Sequence, residues 1–256
     1  MRRSTGAIIV SFVICALLAG DCLARGHRRC CCCVPTPACG QAASAPATTD
    51  PSTKTPSAAP APTTAATAPP KEEWHSLFDG KSLGKWTPTQ FGAQGKVEVK
   101  DGQIIIGEGD GCSGITWTGG DLPKVDYELR LQAMRVEGSD FFCGVTFPVG
   151  DSFCSFICGG WGGGVVGISS IDGEDASEND TTKYKKFDEK RWYTIRVQVR
   201  KDHLSAWIDD EQMVDEPISD RKTTTRSEVE LSKPLGIATW RTTGAIRDIK
   251  WRALAK

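Results

Sequence analysis

The stretch RWYTIRVQVRKDHLSAWIDDEQMVD, residues 191–215, decides the fold class of this chain. Apolar and polar side chains alternate from Tyr193 to Val199, which is the period of a β-strand, whose successive side chains point to opposite faces. LSAWID then pairs with QMVD across the polar turn Asp209–Glu211. The stretch therefore predicts consecutive antiparallel strands with one buried and one solvated face.

The same period recurs through the second half of the chain. VEVKDGQIII (97–106) reads as a hairpin around an Asp-Gly turn, and YELRLQAM (127–134) alternates like the quoted stretch. FFCGVTF (141–147) and SFCSFIC (152–158) flank another turn. No window sustains a helical period, and about a dozen short strands predict a two-sheet antiparallel jelly-roll sandwich of all-β class.

Length and charge limit the function classes. The chain has 256 residues, 39% hydrophobic residues and a formal net charge of -1. This suits one medium-sized domain, predicted to occupy residues 71–256, with further segments before it. Because no basic excess or basic run is present, we predict no nucleic-acid partner.

The first 24 residues are typical of an export signal. Arg2 and Arg3 precede an apolar run from Ala7 to Leu18, which is too short to span a bilayer. Cleavage after Ala24 predicts a secreted, periplasmic or cell-envelope protein. In LAGDC an Asp precedes Cys22, an imperfect lipoprotein signal, so lipidation and a retained N-terminal membrane anchor stay open as alternatives.

Residues 25–70 combine a cysteine-rich segment with a linker. Cys30–Cys33 are adjacent, whereas the ligands of a metal knuckle are spaced to converge on one ion. Palmitoylation, intermolecular disulfides and adventitious metal binding are open, and we favour a cleaved or disordered segment. Residues 41–70 are almost entirely Ala, Pro, Thr and Ser, which predicts a disordered, extended spacer.

The segment SLFDGKSLGKW (76–86) resembles the opening phrase of the 3-keto-disaccharide hydrolase family, a former bacterial domain of unknown function with a concanavalin A-like lectin/glucanase fold. VEVKDGQIII, DYELRLQAM and the closing PLGIATWRTTGAIRDIKWRAL resemble later strands of that family, in the same order. As a structural interpretation, the Asp79-Gly80 turn opens an outer strand and Trp86 caps the sandwich.

The resemblance implies a reaction on 3-keto-glycosides. A base removes the C2 proton acidified by the ketone, the C1–O bond breaks by elimination, and water adds afterwards. The chain departs from the family at Phe142, Cys143 and Pro148, where the family has Asn, Ser and Arg, and it lacks the family's later Glu, Gln and His. Two functions therefore remain open: a glycosidase-like enzyme, or a noncatalytic carbohydrate-binding or envelope interaction module.

Acidic residues are the candidate bases. Asp140 and Glu174 lie near the strands predicted to form the concave face. SIDGED (170–175) is similar to the glucanase pattern of alternate carboxylates, with Ser170 in place of the nucleophile. Asp172, Glu174 and Asp175 also form a candidate calcium site, because clustered oxygen ligands suit a hard cation. A solvated acidic loop is the alternative, and no other cofactor is predicted.

Tryptophans are the candidate sugar contacts. Trp161 lies in GGWGGG, where small neighbours leave the indole accessible, and Trp240 with Arg241 is expected on the same surface as Trp117. Indole faces stack on sugar rings and Arg donates hydrogen bonds to hydroxyl groups. We therefore predict a saccharide or glycoconjugate partner. Trp86, Trp192 and Trp207 are expected in the core.

Four cysteines fall in the predicted domain. Cys143 and Cys158 are expected to face each other on adjacent strands, and export would permit them to oxidise. Cys112 and Cys154 have no evident partner. A disulfide and a set of small buried thiols are both consistent with this spacing.

We predict that residues 71–256 fold without the preceding segment, because the predicted strands close one core among themselves. The fragment should show a single cooperative thermal transition, followed by circular dichroism at several wavelengths. A gradual change without a transition would place the domain boundary elsewhere.

Overall fold

The computed structural model describes residues 73–255, and these form two stacked antiparallel sheets. The predicted signal peptide (1–24) and the predicted cysteine-rich segment and linker (25–70) lie outside the described residues. Within 73–255 no helix is long and apolar enough to cross a membrane. The predicted all-β sandwich of two antiparallel sheets is confirmed for the described range.

The first sheet has eight strands. Seven lie in the spatial order β13 (Glu211–Pro217), β12 (His203–Ile208), β11 (Trp192–Val199), β6 (Tyr127–Gly138), β15 (Thr242–Ala253), β4 (Gln103–Ile106) and β3 (Val97–Lys100), and β1 (His75–Ser76) pairs with β15.

The second sheet has seven strands. Its order is β10 (Lys183–Tyr184), β9 (Val165–Ser169), β8 (Ser152–Gly160), β7 (Cys143–Val149), β14 (Gly236–Trp240), β5 (Cys112–Trp117) and β2 (Trp86–Pro88). A short 3-10 helix, Ser227–Ser232, precedes β14.

The core lies between the sheets and follows from the alternation in the quoted stretch. Along β11 the burial pattern alternates residue by residue, with Ile195 and Val197 pointing inward. Ile195 lies opposite Leu131 of β6, and Val197 lies opposite Leu129. Because directly paired residues point to the same face, one apolar layer forms across neighbouring strands.

The opening turn joins the edges of both sheets. Asp79 Oδ1 accepts the backbone N–H groups of Lys81 (2.8 Å) and Ser82 (2.9 Å), and Gly80 has a φ of +74°. Trp86 is buried, and its indole Nε1–H donates to the Leu77 carbonyl at 2.9 Å. Since β1 belongs to the first sheet and β2 to the second, the turn and Trp86 close one edge of the sandwich.

Three tryptophans differ from expectation. Trp86 lies in the core as predicted, but Trp192 and Trp207 lie on the outer face of the first sheet and are half-buried. Trp117 was expected at the sugar-binding surface and instead packs in the core against Trp86, with ring centroids 5.3 Å apart. The reason is the strand register, which decides the face on which each side chain lies.

The predicted facing of Cys143 and Cys158 is confirmed. The two are direct partners in the register of β7 and β8. Both are buried free thiols, as are Cys112 and Cys154. Burial raises the pKa of the Cys158 thiol well above its ordinary value, with a further contribution from its hydrogen bond to Cys143. They act as small core residues in this structure.

We expect Phe147→Ala to destabilise the domain by about 3–5 kcal/mol, because it removes a fully buried ring and leaves a cavity in the core. Urea unfolding measures this. The matched control is Tyr184→Ala, whose ring is 78% exposed on a two-residue edge strand and should change stability by less than about 0.5 kcal/mol. Equal effects of the two substitutions would contradict this assignment of the core.

Candidate functional site

A cavity of about 180 Å³ opens on the outer face of the second sheet. Ser155 and Ile157 of β8 form part of its floor, since their neighbours Cys154, Phe156 and Cys158 point into the core. The complete lining is Cys112, Asp140, Phe141, Ser155, Ile157, Trp161, Ser169, Arg226, Glu228, Val229 and Trp240. Apolar walls with a few polar groups are typical of a small-ligand site.

Trp161 stands at the rim on a tight turn. Its φ is +49°, and Gly162 and Gly163 that follow have φ values of +84° and +109°. The Gly163 N–H donates to the Gly160 carbonyl at 3.2 Å and closes the turn. The Trp161 ring is 44% exposed. A bulky residue in the left-handed region is strained, and such strain is concentrated at functional sites.

A buried arginine holds this turn in place. Arg135 of β6 donates from Nη2 to the Asp140 and Gly163 carbonyls, both at 3.1 Å, and to the Gly159 carbonyl at 3.4 Å. Phe142 lies 5.2 Å from the Arg135 guanidinium carbon. Burial lowers the pKa of Arg135, and nearby Asp140 opposes the shift. Arg135 thus links the chain before β7 to the turn that carries Trp161.

Asp140 is the predicted base that the structure brings into the cavity. Its Oδ1 accepts the Phe141 N–H at 2.7 Å, and its Oδ2 accepts the Gly162 N–H at 3.1 Å. The Asp140 N–H in turn donates to Thr242 Oγ1 at 3.1 Å. The carboxylate is therefore fixed beside Trp161. Its remaining lone pairs can accept a proton, or a hydrogen bond from a sugar hydroxyl group.

Arg226 and Glu228 form the opposite side of the cavity. Arg226 Nη2 donates to Glu228 Oε1 at 2.8 Å and Nε donates to Oε2 at 3.3 Å, a two-pronged pair. Arg226 Nη1 also pairs with Asp175, whose Oδ1 accepts the Ser170 hydroxyl at 3.0 Å. The Arg226 guanidinium carbon lies 5.9 Å from the centre of the Trp161 ring. A cation is thus held against the rim indole.

The remaining polar lining is neutral. Burial, with a smaller contribution from the charge of Glu228, raises the pKa of the Cys112 thiol to about 12, so it stays protonated and is a poor nucleophile. The Ser155 and Thr146 hydroxyl groups share a hydrogen bond of 2.8 Å, and the Ser169 hydroxyl donates to Asp175 at 3.2 Å. These groups suit hydrogen bonding to a ligand better than covalent catalysis.

Several predicted site residues are brought together and others are not. Asp140, Trp161 and Trp240 line one cavity. Arg241 instead points to Asp110, with Nη2 2.8 Å from Oδ1, and Glu174 is exposed outside the lining. Asp140 is therefore the member of the predicted catalytic pair that the cavity holds.

The predicted acidic cluster does not converge. The chain turns at Asp172-Gly173, where φ values are +54° and +87°, so Asp172 and Glu174 do not share a strand face. Asp172 pairs with Arg221 at 2.6 Å, whereas Asp175 turns toward Arg226. Among residues 73–255 no group of three or more His, Cys, Asp or Glu side chains is arranged to hold a metal ion.

Sequence reasoning missed Arg226 and Glu228. They come from TTTRSEVE (223–230), which joins β13 to β14 through the 3-10 helix and resembles an ordinary polar loop. Glu228 sits in the first turn of that helix. No local motif marks them, because only the folding of this loop against the second sheet places them beside Trp161.

We expect the Arg226–Glu228 pair to stabilise the domain in a defined pH window. The Arg226 hydrogen bonds lower the pKa of Glu228 from 4.5 to about 2. Stability from this shift is fully present above about pH 4.5 and is lost as the pH falls toward 2. Since the Glu228 side chain is 40% exposed, the contribution is at most about 1 kcal/mol.

The measurement is thermal unfolding of Glu228→Gln and the wild type from pH 7 to pH 2. The wild type should have the higher unfolding temperature at neutral pH, and the difference in unfolding temperature between the two proteins should disappear near pH 2. Glu137→Gln, at an exposed residue of β6, is the matched control. A difference in unfolding temperature that does not depend on pH would contradict the stabilising role of the Arg226–Glu228 pair.

Solved structures with a similar fold include carbohydrate-active proteins. A carbohydrate-binding module from Bacillus subtilis, CBM66, shares 12% identity over 66% of this chain and 96% of that chain, with a TM-score of 0.44. Domain 4 of the extracellular arabinanase AbnA from Geobacillus stearothermophilus, in complex with arabinotriose, shares 13% identity over 71% and 91%, with a TM-score of 0.45.

The transglycosylase Crh5 in complex with NAG shares 12% identity over 72% of this chain and 84% of that chain, with a TM-score of 0.48. No curated protein matches the sequence of this chain. The family comparison is more specific, since the pattern of the 3-keto-alpha-glucoside-1,2-lyase-like domain matches residues 73–252, nearly the whole described range. The chain therefore belongs to the 3-keto-alpha-glucoside-1,2-lyase-like domain family.

Proposed function

We propose that the cavity on the second sheet binds a saccharide and that the domain acts on 3-keto-glycosides by base-assisted elimination. The observation that carries the proposal is the meeting of Asp140, Arg226 and Trp161 in one small cavity. An indole face for a sugar ring, a carboxylate for a proton and a fixed cation for a negatively charged oxygen are the groups that this reaction needs.

The roles follow from the geometry of each group. Asp140 takes the C2 proton, and the electron pair of that C–H bond moves into an enolate whose oxygen is the former ketone oxygen. Arg226, held by two carboxylates, offers positive charge on the side of Trp161. When the ketone re-forms, the C1–O bond breaks, a C1=C2 double bond appears, and the proton on Asp140 passes to the departing oxygen. Water then adds to the unsaturated sugar.

Glu228 is a weak candidate for the base. Its pKa near 2 makes the carboxylate a poor proton acceptor at neutral pH, because accepting a proton would break its pair with Arg226. Its role in the proposal is to orient Arg226. The two histidines of the described range, His75 and His203, lie outside the cavity lining, which leaves Asp140 as the base.

A noncatalytic carbohydrate-binding or envelope interaction module is the second candidate. It is favoured by Phe142 and Cys143, which replace the polar residues of the family and point into the core rather than the cavity. In that case Trp161, Trp240 and the hydroxyl groups of the floor bind sugar without turnover. For either function we propose export through residues 1–24, with residues 25–70 acting as a spacer.

The two functions are separated by parallel assays of 3-keto-trehalose turnover and glycan binding. If the enzyme proposal is right, Asp140→Asn lowers kcat by about 10²–10⁴-fold, because it removes the general base. Trp161→Ala should weaken saccharide affinity by about tenfold through loss of the stacking face. Asp151→Asn is the matched control, a fully exposed carboxylate at the β7–β8 turn.

Turnover by the wild type that survives Asp140→Asn would refute Asp140 as the base. If the wild type shows no turnover but binds glycan, and Trp161→Ala loses that binding, the result supports the noncatalytic binding module. Neither turnover nor binding would refute both candidates. Thermal unfolding of each variant confirms that the fold is retained.

A further inference from the structure

The outer face of the first sheet carries an ordered set of cations and indoles that the cavity does not use. We call it the Arg/Trp face, and it lies on the opposite side of the sandwich from the cavity. Its residues are Trp74, Glu128, Arg130, Gln132, Trp192, Arg196, Gln198, Trp207, Arg247, Lys250 and Arg252.

Three cations of this face stand in one row across three strands. Arg196 of β11 lies directly opposite Arg130 of β6, and Arg130 lies directly opposite Lys250 of β15. Neighbouring strands are about 4.8 Å apart, so the backbones of the three residues follow one another at that spacing across the sheet. Directly opposed like charges destabilise a sheet. Arg196 lies 3.9 Å from Glu128 and Lys250 lies 2.9 Å from Asp248, so each outer cation of the row has a carboxylate partner within the protein.

Arg130, at the centre of the row, is not neutralised by the protein. It has no ion pair or hydrogen bond with any residue of 73–255, and its Nε is buried without a partner. Glu128 lies next along β6 on the same face, but its side chain is only 2% exposed and accepts from Gln198 (2.9 Å) and Arg252 (2.8 Å). Because Arg130 is partly exposed, its two Nη groups, rather than the buried Nε, are open to an external anion.

Indoles flank the row, and each packs against a cation. The Arg196 guanidinium carbon lies 4.0 Å from the Trp207 ring centre, and that of Arg247 lies 3.9 Å from the Trp192 ring centre. Trp74 lies under Lys250 and Arg252 at the other edge. These contacts hold the cations flat over the sheet and limit the loss of side-chain entropy when a ligand binds.

The face is cationic rather than apolar. Two carboxylates, Glu128 and Asp248, accompany five basic side chains. The basic side chains are Arg130, Arg196, Arg247, Lys250 and Arg252. The large apolar side chains exposed within 73–255 are Val125, Trp161, Tyr184 and Leu231, and none belongs to this face. A partner should therefore match positive charge over a flat surface, without a segment that inserts into an apolar groove.

We propose that the Arg/Trp face binds an acidic polysaccharide, whose carboxylate or sulfate groups pair with Arg130 and its neighbours in the row. A guanidinium group donates two parallel hydrogen bonds to either anion, and the indole edges contact the sugar rings between them. An extended chain that lies across the strands would meet Arg196, Arg130 and Lys250 in succession. This proposal does not depend on the function of the cavity.

The test uses the full chain with polygalacturonate and dextran sulfate, each against its uncharged counterpart, methyl-esterified polygalacturonate and dextran. The wild type should bind at least one acidic polymer and neither neutral one. Arg130→Gln should weaken binding about tenfold, the usual effect of losing a charged hydrogen bond. It should leave the unfolding temperature unchanged or raise it, because it relieves repulsion in the row.

Lys222→Gln is the control, since it removes one exposed positive charge with no ion pair in 73–255 from the loop after β13. It should alter binding less than twofold. Trp161→Ala should leave binding to the acidic polymers intact, which separates this face from the cavity.

Four outcomes would overturn the proposal: no binding to either acidic polymer, equal loss in Lys222→Gln and Arg130→Gln, a marked fall in the unfolding temperature of Arg130→Gln, or binding to vesicles of anionic phospholipid without binding to the polymers.

Discussion

Burial of one face of every long strand against the opposite sheet is the constraint on which the rest of this structure depends. Each strand has two faces, so the inward residues of β6 and β11 form the core while their outward neighbours are free to vary. The sandwich therefore offers two independent outer surfaces. One carries the cavity around Trp161, and the other carries the Arg/Trp face.

A few polar interactions fix the segments that core packing does not hold, namely one edge of the sandwich and the turn that carries Trp161. The Trp86 indole bonded to the Leu77 carbonyl closes one edge of the sandwich, where the chain passes from the first sheet to the second. Arg135, buried beside Phe142, holds three carbonyl groups around the turn of Trp161. A buried cation that is satisfied by carbonyl groups fixes a loop of glycines that would otherwise adopt many conformations.

The strands and the loops of this domain contribute differently to the cavity. Phe142 and Cys143 belong to the core, so their side chains are committed to packing. The polar groups of the cavity come instead from the chain just before β7 and from the loop before β14, which supply Asp140 and the Arg226–Glu228 pair. Loops can take over such roles because they are free of the packing constraint of the strands.

By itself the sequence determined the fold class and the main hairpins, because alternation and turn residues act over a few neighbours. Only the tertiary structure decided which face each side chain occupies. In β15 an irregularity between Arg247 and Lys250, where Asp248 has a φ of +52°, places both on the outer face, although strict alternation would separate them. Trp192 and Trp207 were predicted in the core and lie on the outer face instead, and Arg226 lies in the cavity although no sequence pattern indicated it. Both outcomes have one physical reason, since strand register and loop path depend on partners far away in the chain.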